Sequence, residues 1–416
     1  MTSTQTRDVA RPPFWRDIRV IRVAGQLAAV VVVFFIIRWL LGNLFTNLER
    51  LNISTSFDFL FGPTNFQIPF CQVPGRESCW VIPFWERFDP RSPVWEMVVV
   101  GVKNTFLAGF FGIILASIVG VIVGISRLSE NWLIARLATV YVELFRNIPP
   151  LVIIIFFGFA VFTFGPFPIL AESWEIKLPG TDNNLLMINN DRWGIPGVTQ
   201  TGSMLVFWLI LMAGLVAAVA VWVWRTRKFD TTGVPHHRVL WFLGVFIAFF
   251  LLAYFVTGTP IEMSWPALIE SRRGITGGIE MNWGFISVTV ALGLYTASHI
   301  GEIIRGSILA VHSGQSEAAS ALALSSFQRY RFVILPQAMR IAVPPTINQY
   351  LNLVKNTSLG TAVSYAEVTA LTKTSIGNGR PAFQSIIILM AIYLVFSLII
   401  SLILNVVNRR LQLETR

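Results

Sequence analysis

Residues 313–340 read SGQSEAASALALSSFQRYRFVILPQAMR, a polar, charged, helix-prone stretch between two apolar segments that are each long enough to cross a bilayer. A hydrophilic elbow in that setting has to lie in water while its neighbours lie in lipid. Ser316 is positioned to N-cap a short helix starting at Glu317, whose carboxylate suits the positive N-terminal end. Ser325 or Ser326 can cap a second helix carrying Phe327, and Pro336 helps to end it. Ala323 falls at the bend between the two helices. Alanine there costs little if its φ is negative and more if it is left-handed. An ordinary amphipathic cytoplasmic hairpin is the plainer alternative.

Composition agrees with a membrane setting. Mean hydropathy is +0.64, with 54% hydrophobic and 13% charged residues, outside the range of an ordinary soluble domain. The net charge of +10 would suggest nucleic-acid binding in a soluble protein. Here the basic residues sit at the ends of apolar runs, which makes them topology signals and argues against a nucleic-acid partner. His236 and His237 lie in a basic loop and read as solvated; the sequence has no Cys/His cluster with metal-ligand spacing. No phosphate-binding G-x-x-x-x-G-K-[ST] loop is present, and no Ser/His/Asp set suggests catalysis in this chain.

The apolar runs predict about eight spans, at residues 23–43, 97–125, 138–162, 203–224, 239–258, 285–308, 341–366 and 384–407. Basic clusters fall in the N-terminal tail, after Arg127, around Arg225, Arg227 and Lys228, around Arg329, Arg331 and Arg340, and at Arg409 and Arg410. These alternate sides of the membrane, so the positive-inside rule puts both termini in the cytoplasm. The segments around 44–96, 163–202 and 259–284 then face outward. Cys71 and Cys79 share the first of these, where an oxidising compartment would permit a disulfide; two independent thiols are the alternative.

Three motifs resemble one family. Glu317-Ala318-Ala319, Ala323 and Val333-Ile334-Leu335-Pro336 match the spacing of the EAA loop of bacterial ATP-driven importer permeases, with alanine and valine where glycine and isoleucine are usual. The runs at 101–154, 294–319 and 335–359 are similar to polar amino-acid permeases, and the long layout resembles general L-amino acid permeases of the Aap/Bzt type. The resemblance implies an all-α membrane fold with a five-span type I permease core. The first part of that core would be 97–162 and the second 286–408, with the coupling loop at 313–340. Residues 1–22 would be a cytoplasmic tail, 23–96 an extra span with an external loop, 163–285 an insertion with two spans, and 409–416 a second cytoplasmic tail.

The resemblance further implies a non-catalytic permease subunit of the bacterial inner membrane that forms half of an L-amino acid pathway. Glu317, Ala318, Ala319, Ala323, Leu335 and Pro336 would couple it to a separate ATPase. Implied partners are a second related permease, two ATPase subunits that bind ATP and Mg, and a periplasmic amino-acid-binding protein, with membrane lipid around the spans. No cofactor is expected in this chain.

Within the expected seventh span, Pro344, Pro345, Asn348, Asn352, Lys355, Asn356, Thr357 and Ser358 interrupt the apolar pattern. Polar irregularity at depth is tolerated where protein or a water-filled cavity surrounds it. Asn352, Lys355, Asn356, Thr357 and Ser358 are therefore candidate pathway residues, with Lys355 suited to a substrate carboxylate. Alternatively, Lys355 snorkels or pairs with Glu367, and the polar groups only cap helix ends. Asn104 and Thr105 are further candidates, or serve as interhelical hydrogen bonders. Glu143 with Arg146 and Glu302 with Arg305 have i,i+3 ion-pair spacing. A secondary ion-coupled amino-acid transporter is the rival function. It would require an inverted repeat and intramembrane carboxylates for the ion. The sequence shows no convincing repeat, and its span centres lack carboxylates.

Overall fold

A computed structural model of the chain describes residues 18–51, 56–68, 79–80, 87–200, 204–232, 237–258, 261–269 and 274–411. Contacts divide the protein into two units, residues 1–59 with 381–384 and residues 60–380 with 385–416. The first unit holds helix α1 (Ile18–Arg50), whose side chains are exposed along nearly its whole length. An isolated helix rich in Val, Phe and Ile is stable in this form only with lipid or other helices around it.

The second unit opens with the short strands β1 (Cys79–Trp80) and β2 (Arg87–Phe88), then helix α2 (Val94–Ser126). Helix α3 (Trp132–Asn147) starts on Asn131, whose side chain accepts from the Leu133 and Ile134 N–H groups. Proline then ends it. Ile148 is pushed to extended backbone by Pro149, and α4 (Pro150–Ile155) restarts with Pro150 in its first turn and continues through a π-helical turn, Phe156–Thr163. The expected third span, 138–162, is therefore a pair of helices bent by 106° and not one straight rod.

The expected insertion contains more than spans and loops. Strands β3 (Trp174–Lys177), β4 (Asn184–Ile188), β5 (Arg192–Ile195) and β6 (Gly197–Gln200) precede the helices α5 (Met204–Thr232) and α6 (Arg238–Val256). Strands β7 (Ile261–Ser264), β8 (Ala267–Leu268), β9 (Ile275–Thr276) and β10 (Ile279–Asn282) follow. They form an antiparallel four-stranded sheet in the order β10-β5-β4-β3, with two small ribbons, β6-β7 and β8-β9. Arg192 fastens β5 to β10 by pairing with Glu280 at 2.6 Å, and it also pairs with its neighbour Asp191. Between β6 and β7 the chain leaves the sheet as the α5–α6 hairpin, whose two helices pack along each other.

Helix α7 (Trp283–Leu309) begins directly from β10, with Asn282 accepting from the Phe285 N–H at 2.7 Å. Then come α8 (Ser313–Ala321), α9 (Ser326–Arg329), α10 (Leu335–Asn356), α11 (Val368–Gly377) and α12 (Ala382–Leu411). Helices α1, α2, α5, α6, α7 and α12 are long and apolar enough to span a membrane, and the bent α3–α4 pair is a seventh candidate. With α10, which is too polar to qualify by composition, they fill the eight expected positions.

The core of the second unit is α2 against α7. On α2 a row of small residues, Gly101, Thr105, Gly109, Gly112, Ala116, Gly120 and Gly124, is buried every three or four positions, which is one face of a helix. Small residues let backbones approach closely, the usual solution where lipid offers no hydrophobic drive for helix pairing. A Cβ on Gly120 would lie 2.7 Å from Ile300 Cγ2, and one on Gly124 2.8 Å from the Gly301 carbonyl.

Candidate functional sites: a two-helix elbow and a polar helix face

Helix α8 opens with His312, whose Nδ1 accepts from the Gly314 N–H at 3.1 Å, so the cap is His312 and not Ser316 as expected. Its end is a paired turn. The Ala323 N–H donates to the Ser320 carbonyl at 2.9 Å and the Leu324 N–H to the Ala319 carbonyl at 3.1 Å. These are the two bonds of a Schellman cap, which demands a left-handed residue after the cap position. That residue is Ala323, at φ +55°. The small-residue requirement of the elbow thus has a backbone cause, and alanine meets it at some cost.

The next helix starts with a reciprocal cap. Ser325 Oγ accepts from the Gln328 N–H, and Gln328 Oε1 accepts from the Ser325 N–H at 2.9 Å. After α9 the chain passes through a π-helical turn, Tyr330–Ile334, straight into α10. Pro336 sits in the first turn of α10, where it needs no N–H partner, so it begins this helix and does not end the previous one. Two side-chain bonds close the elbow across its width, Gln337 Nε2 to Gln315 Oε1 at 3.2 Å and Arg329 to Ser320 Oγ at 3.3 Å.

Ala319 is buried inside the elbow, whereas Glu317, Ala318 and Ala323 are exposed on it, with Leu335 and Pro336 exposed at the start of α10. Leu322, Phe327 and Phe332 are also exposed, at 75, 70 and 64%. An exposed knob that displays this much apolar surface on a rigid frame is suited to docking.

Where the elbow meets the core, Glu302 of α7 bridges two arginines, pairing with Arg305 at 2.7 Å and with Arg127 at the end of α2. The Glu302–Arg305 spacing read from sequence is thus occupied by an ion pair. Among the described residues, Glu143 and Arg146 form none.

Helix α10 runs unbroken through Pro344 and Pro345, so these prolines do not interrupt it. They remove N–H donors at only two adjacent positions, and both side chains lie on the open face. The regular helix ends after Asn356 in a 3₁₀ stretch, Thr357–Val363, which closes on left-handed Ser364. Pro345, Asn348, Asn352 and Lys355 recur at three- and four-residue spacing on the exposed side, while Leu353 and Val354 face the core.

The seven candidate pathway residues therefore divide. Asn352 and Lys355 are exposed along the open stripe of α10, with Asn356 and Ser358 half-buried at its end. Asn104, Thr105 and Thr357 belong to a packed joint. Asn104 Nδ2 donates to the Ala366 carbonyl at 2.8 Å, and the Asn104 carbonyl accepts from the Tyr365 hydroxyl at 2.7 Å. Thr105 Oγ1 accepts from the Val368 N–H at 3.2 Å, and Thr357 Oγ1 donates to the Val354 carbonyl at 2.7 Å.

Glu367 belongs to the same joint and is fully buried. It N-caps α11 by accepting from the Thr369 and Ala370 N–H groups at 2.8 and 2.6 Å, and it accepts from the Tyr393 hydroxyl of α12 at 3.0 Å. It makes no ion pair with Lys355. Sequence reasoning did not find this role, although a lone carboxylate preceding Val-Thr-Ala-Leu is a readable N-cap signal. Cys71 and the side chain of Cys79 lie outside the described residues. Among the described residues, no three His, Cys, Asp or Glu side chains converge as a metal site.

Comparison with known proteins adds one family match and three relatives. Residues 210–413 match the family described as binding-protein-dependent transport system inner membrane component. The general L-amino acid transport system permease protein AapQ of Rhizobium johnstonii is 35% identical over 94% of this chain and 92% of its own. The putative amino-acid ABC transporter permease protein YhdX of Escherichia coli is also 35% identical, over 94% of each chain. The glutamate/glutamine/aspartate/asparagine permease protein BztB of Rhodobacter capsulatus is 31% identical over 96% of each.

Proposed function

This chain belongs to the binding-protein-dependent transport system inner membrane components, as a multi-pass permease subunit of the amino-acid ABC transporter group, and from that premise we propose that it forms half of an L-amino acid pathway driven by a separate ATPase. The observation that carries the coupling role is the elbow at 313–340, with its left-handed Ala323, reciprocal Ser325–Gln328 cap and exposed Leu322, Phe327 and Phe332. Glu317, Ala318, Ala319, Ala323, Leu335 and Pro336 form its docking surface and frame. The ATPase pair binds ATP and Mg, and its closure moves the elbow as a rigid lever, tilting α10 and α7.

The open face of α10 supports the pathway half of the proposal. A cationic side chain and two carboxamides facing outward from one permease would be costly in lipid, about 2.5 kcal/mol or more for the lysine alone. Opposed across a two-fold axis to a second, related permease, Asn352, Lys355, Asn356 and Ser358 line a wet passage, with Lys355 available to the substrate's α-carboxylate. The joint of Asn104, Thr105 and Thr357 sets the angle at which that face is presented. A periplasmic amino-acid-binding protein delivers substrate from outside, and both termini of this chain lie in the cytoplasm of an inner membrane.

Labelled L-amino acid uptake in cells expressing the complete operon tests the proposal. Lys355→Met lowers uptake at least several-fold while the permease still co-purifies with its ATPase; undiminished uptake of every substrate removes Lys355 from the pathway. A cysteine introduced at Ser320 stays unlabelled by membrane-impermeant maleimide added to intact cells and reacts after lysis. Labelling before lysis would place the elbow on the outer face and end the coupling reading.

A further inference from the structure

The α5–α6 hairpin carries a feature that transport does not use. At the end of the hairpin opposite the β6–β7 ribbon, three cations are interleaved with indole rings. The Arg225 guanidinium lies 4.5 Å from the centre of the Trp241 ring and 5.2 Å from that of Trp224. Arg238 lies 5.2 Å from the Trp222 ring, and the Lys228 ammonium 5.5 Å from the Trp224 ring. Arg225 is half-buried by this stacking, and its Nε is shut off from solvent with no hydrogen-bond partner. Trp224 and Trp241 are about half exposed, at 56 and 50%.

Charge balance makes this end of the hairpin one-sided. Between residues 203 and 258 the only acidic residue is Asp230, against Arg225, Arg227, Lys228 and Arg238. Among the described residues, neither Arg225 nor Arg238 has a carboxylate within ion-pair distance. Stacking on indole leaves the edge of a guanidinium free, and that edge presents parallel N–H donors suited to a phosphate. Tryptophan at the base of the same cluster is the residue that settles at headgroup depth.

We propose that this end of the hairpin is a binding site for the headgroup phosphate of an anionic phospholipid of the cytoplasmic leaflet, held by Arg225 and Arg238 between Trp222, Trp224 and Trp241. The leaflet assignment rests on the permease reading above, whereas the phosphate chemistry rests on the cluster alone. A free phosphate ion offers the same oxygens, but the exposed indole faces favour the source that also brings acyl chains.

Native mass spectrometry of the purified full-length chain in detergent, titrated with phosphatidylglycerol or phosphatidylcholine, tests this. Wild type retains phosphatidylglycerol preferentially. Each surface cation contributes about fivefold to anionic-lipid affinity, so Arg225→Gln with Arg238→Gln weakens phosphatidylglycerol binding about 30-fold. The same charge loss at Arg409→Gln with Arg410→Gln leaves it within a few-fold of wild type. Equal retention of the two lipids, or an equal loss in the tail control, overturns the proposal. Displacement of the lipid by millimolar inorganic phosphate overturns the lipid source. If the glutamine pair fails to insert, Arg225→Lys with Arg238→Lys keeps the topology charge but loses the planar fork; several-fold weakening supports the site, and unchanged affinity overturns it.

Discussion

Ala323 concentrates in one backbone angle what the elbow requires. At φ +55° a Cβ crowds the following carbonyl, and the cost for a non-glycine residue is about 1 kcal/mol. Ala323→Gly should therefore raise the local stability of residues 313–330 by about that amount, read as slower amide hydrogen exchange in the elbow of the intact chain. Ala323→Val, β-branched at the same angle, should speed exchange there. Glu367 is the opposite case, a residue whose surroundings are complete. Its carboxylate satisfies two backbone N–H groups and the Tyr393 hydroxyl. Glu367→Ala leaves those donors buried and unpaired, and should cost about 1–3 kcal/mol in thermal unfolding of the detergent-solubilised protein. An unchanged unfolding midpoint would mean that water replaces the carboxylate without penalty.

At the scale of elements, the contact between α2 and α7 depends on the absence of side chains. Gly120→Leu places carbon where Ile300 already stands, and Gly124→Val drives a Cβ into the Gly301 carbonyl. Either should cost about 1–3 kcal/mol or prevent folding, seen as loss of monodisperse protein in gel filtration. Gly25→Leu in α1, where nothing lies within 4 Å of an added Cβ, is the matched control and should fold as wild type. The spacing of those small residues is local and readable in the sequence, a glycine, alanine or threonine every three or four positions along one helix face. Its partner is not. Ile300 and Gly301 lie some 180 residues away, and nothing local states that they meet α2. The proline effects ran against expectation: the span read at 138–162 passed through Pro149 and Pro150, and Pro344 and Pro345 were read as interruptions. Pro149 and Pro150 end α3 as the chemistry demands, while Pro344 and Pro345 lie inside α10.

At the scale of the whole molecule, the α5–α6 hairpin is hung on a narrow neck. Gln200 of β6 lies directly opposite Ile261 of β7, so a two-residue turn can join them without moving either strand. Replacing residues 201–260 by Asn-Gly should leave the α2–α7–α10 core folded, with an unfolding midpoint near that of wild type. The same variant should lose selective phosphatidylglycerol retention if the cation–indole cluster holds the lipid. Collapse of the core on excision would instead make the hairpin an integral part of the permease.

The sequence by itself determined the class of the protein and the layout of its spans, because hydropathy and basic flanks act locally and need no partner to be read. It also placed the two short helices of the elbow and the bend at Ala323, but not the first cap, which is His312 and not Ser316, nor the place of Pro336, which opens α10. Only the tertiary structure decided which polar groups are spent on packing and which remain open. Asn104, Thr105 and Thr357 look like Asn352 and Lys355 in a one-dimensional reading. Burial and hydrogen bonding to segments far along the chain separate them. The small sheet inside the insertion was beyond the sequence for the same reason: β5 and β10 pair across more than 80 residues, and short strands carry too little periodicity to announce a partner that far away.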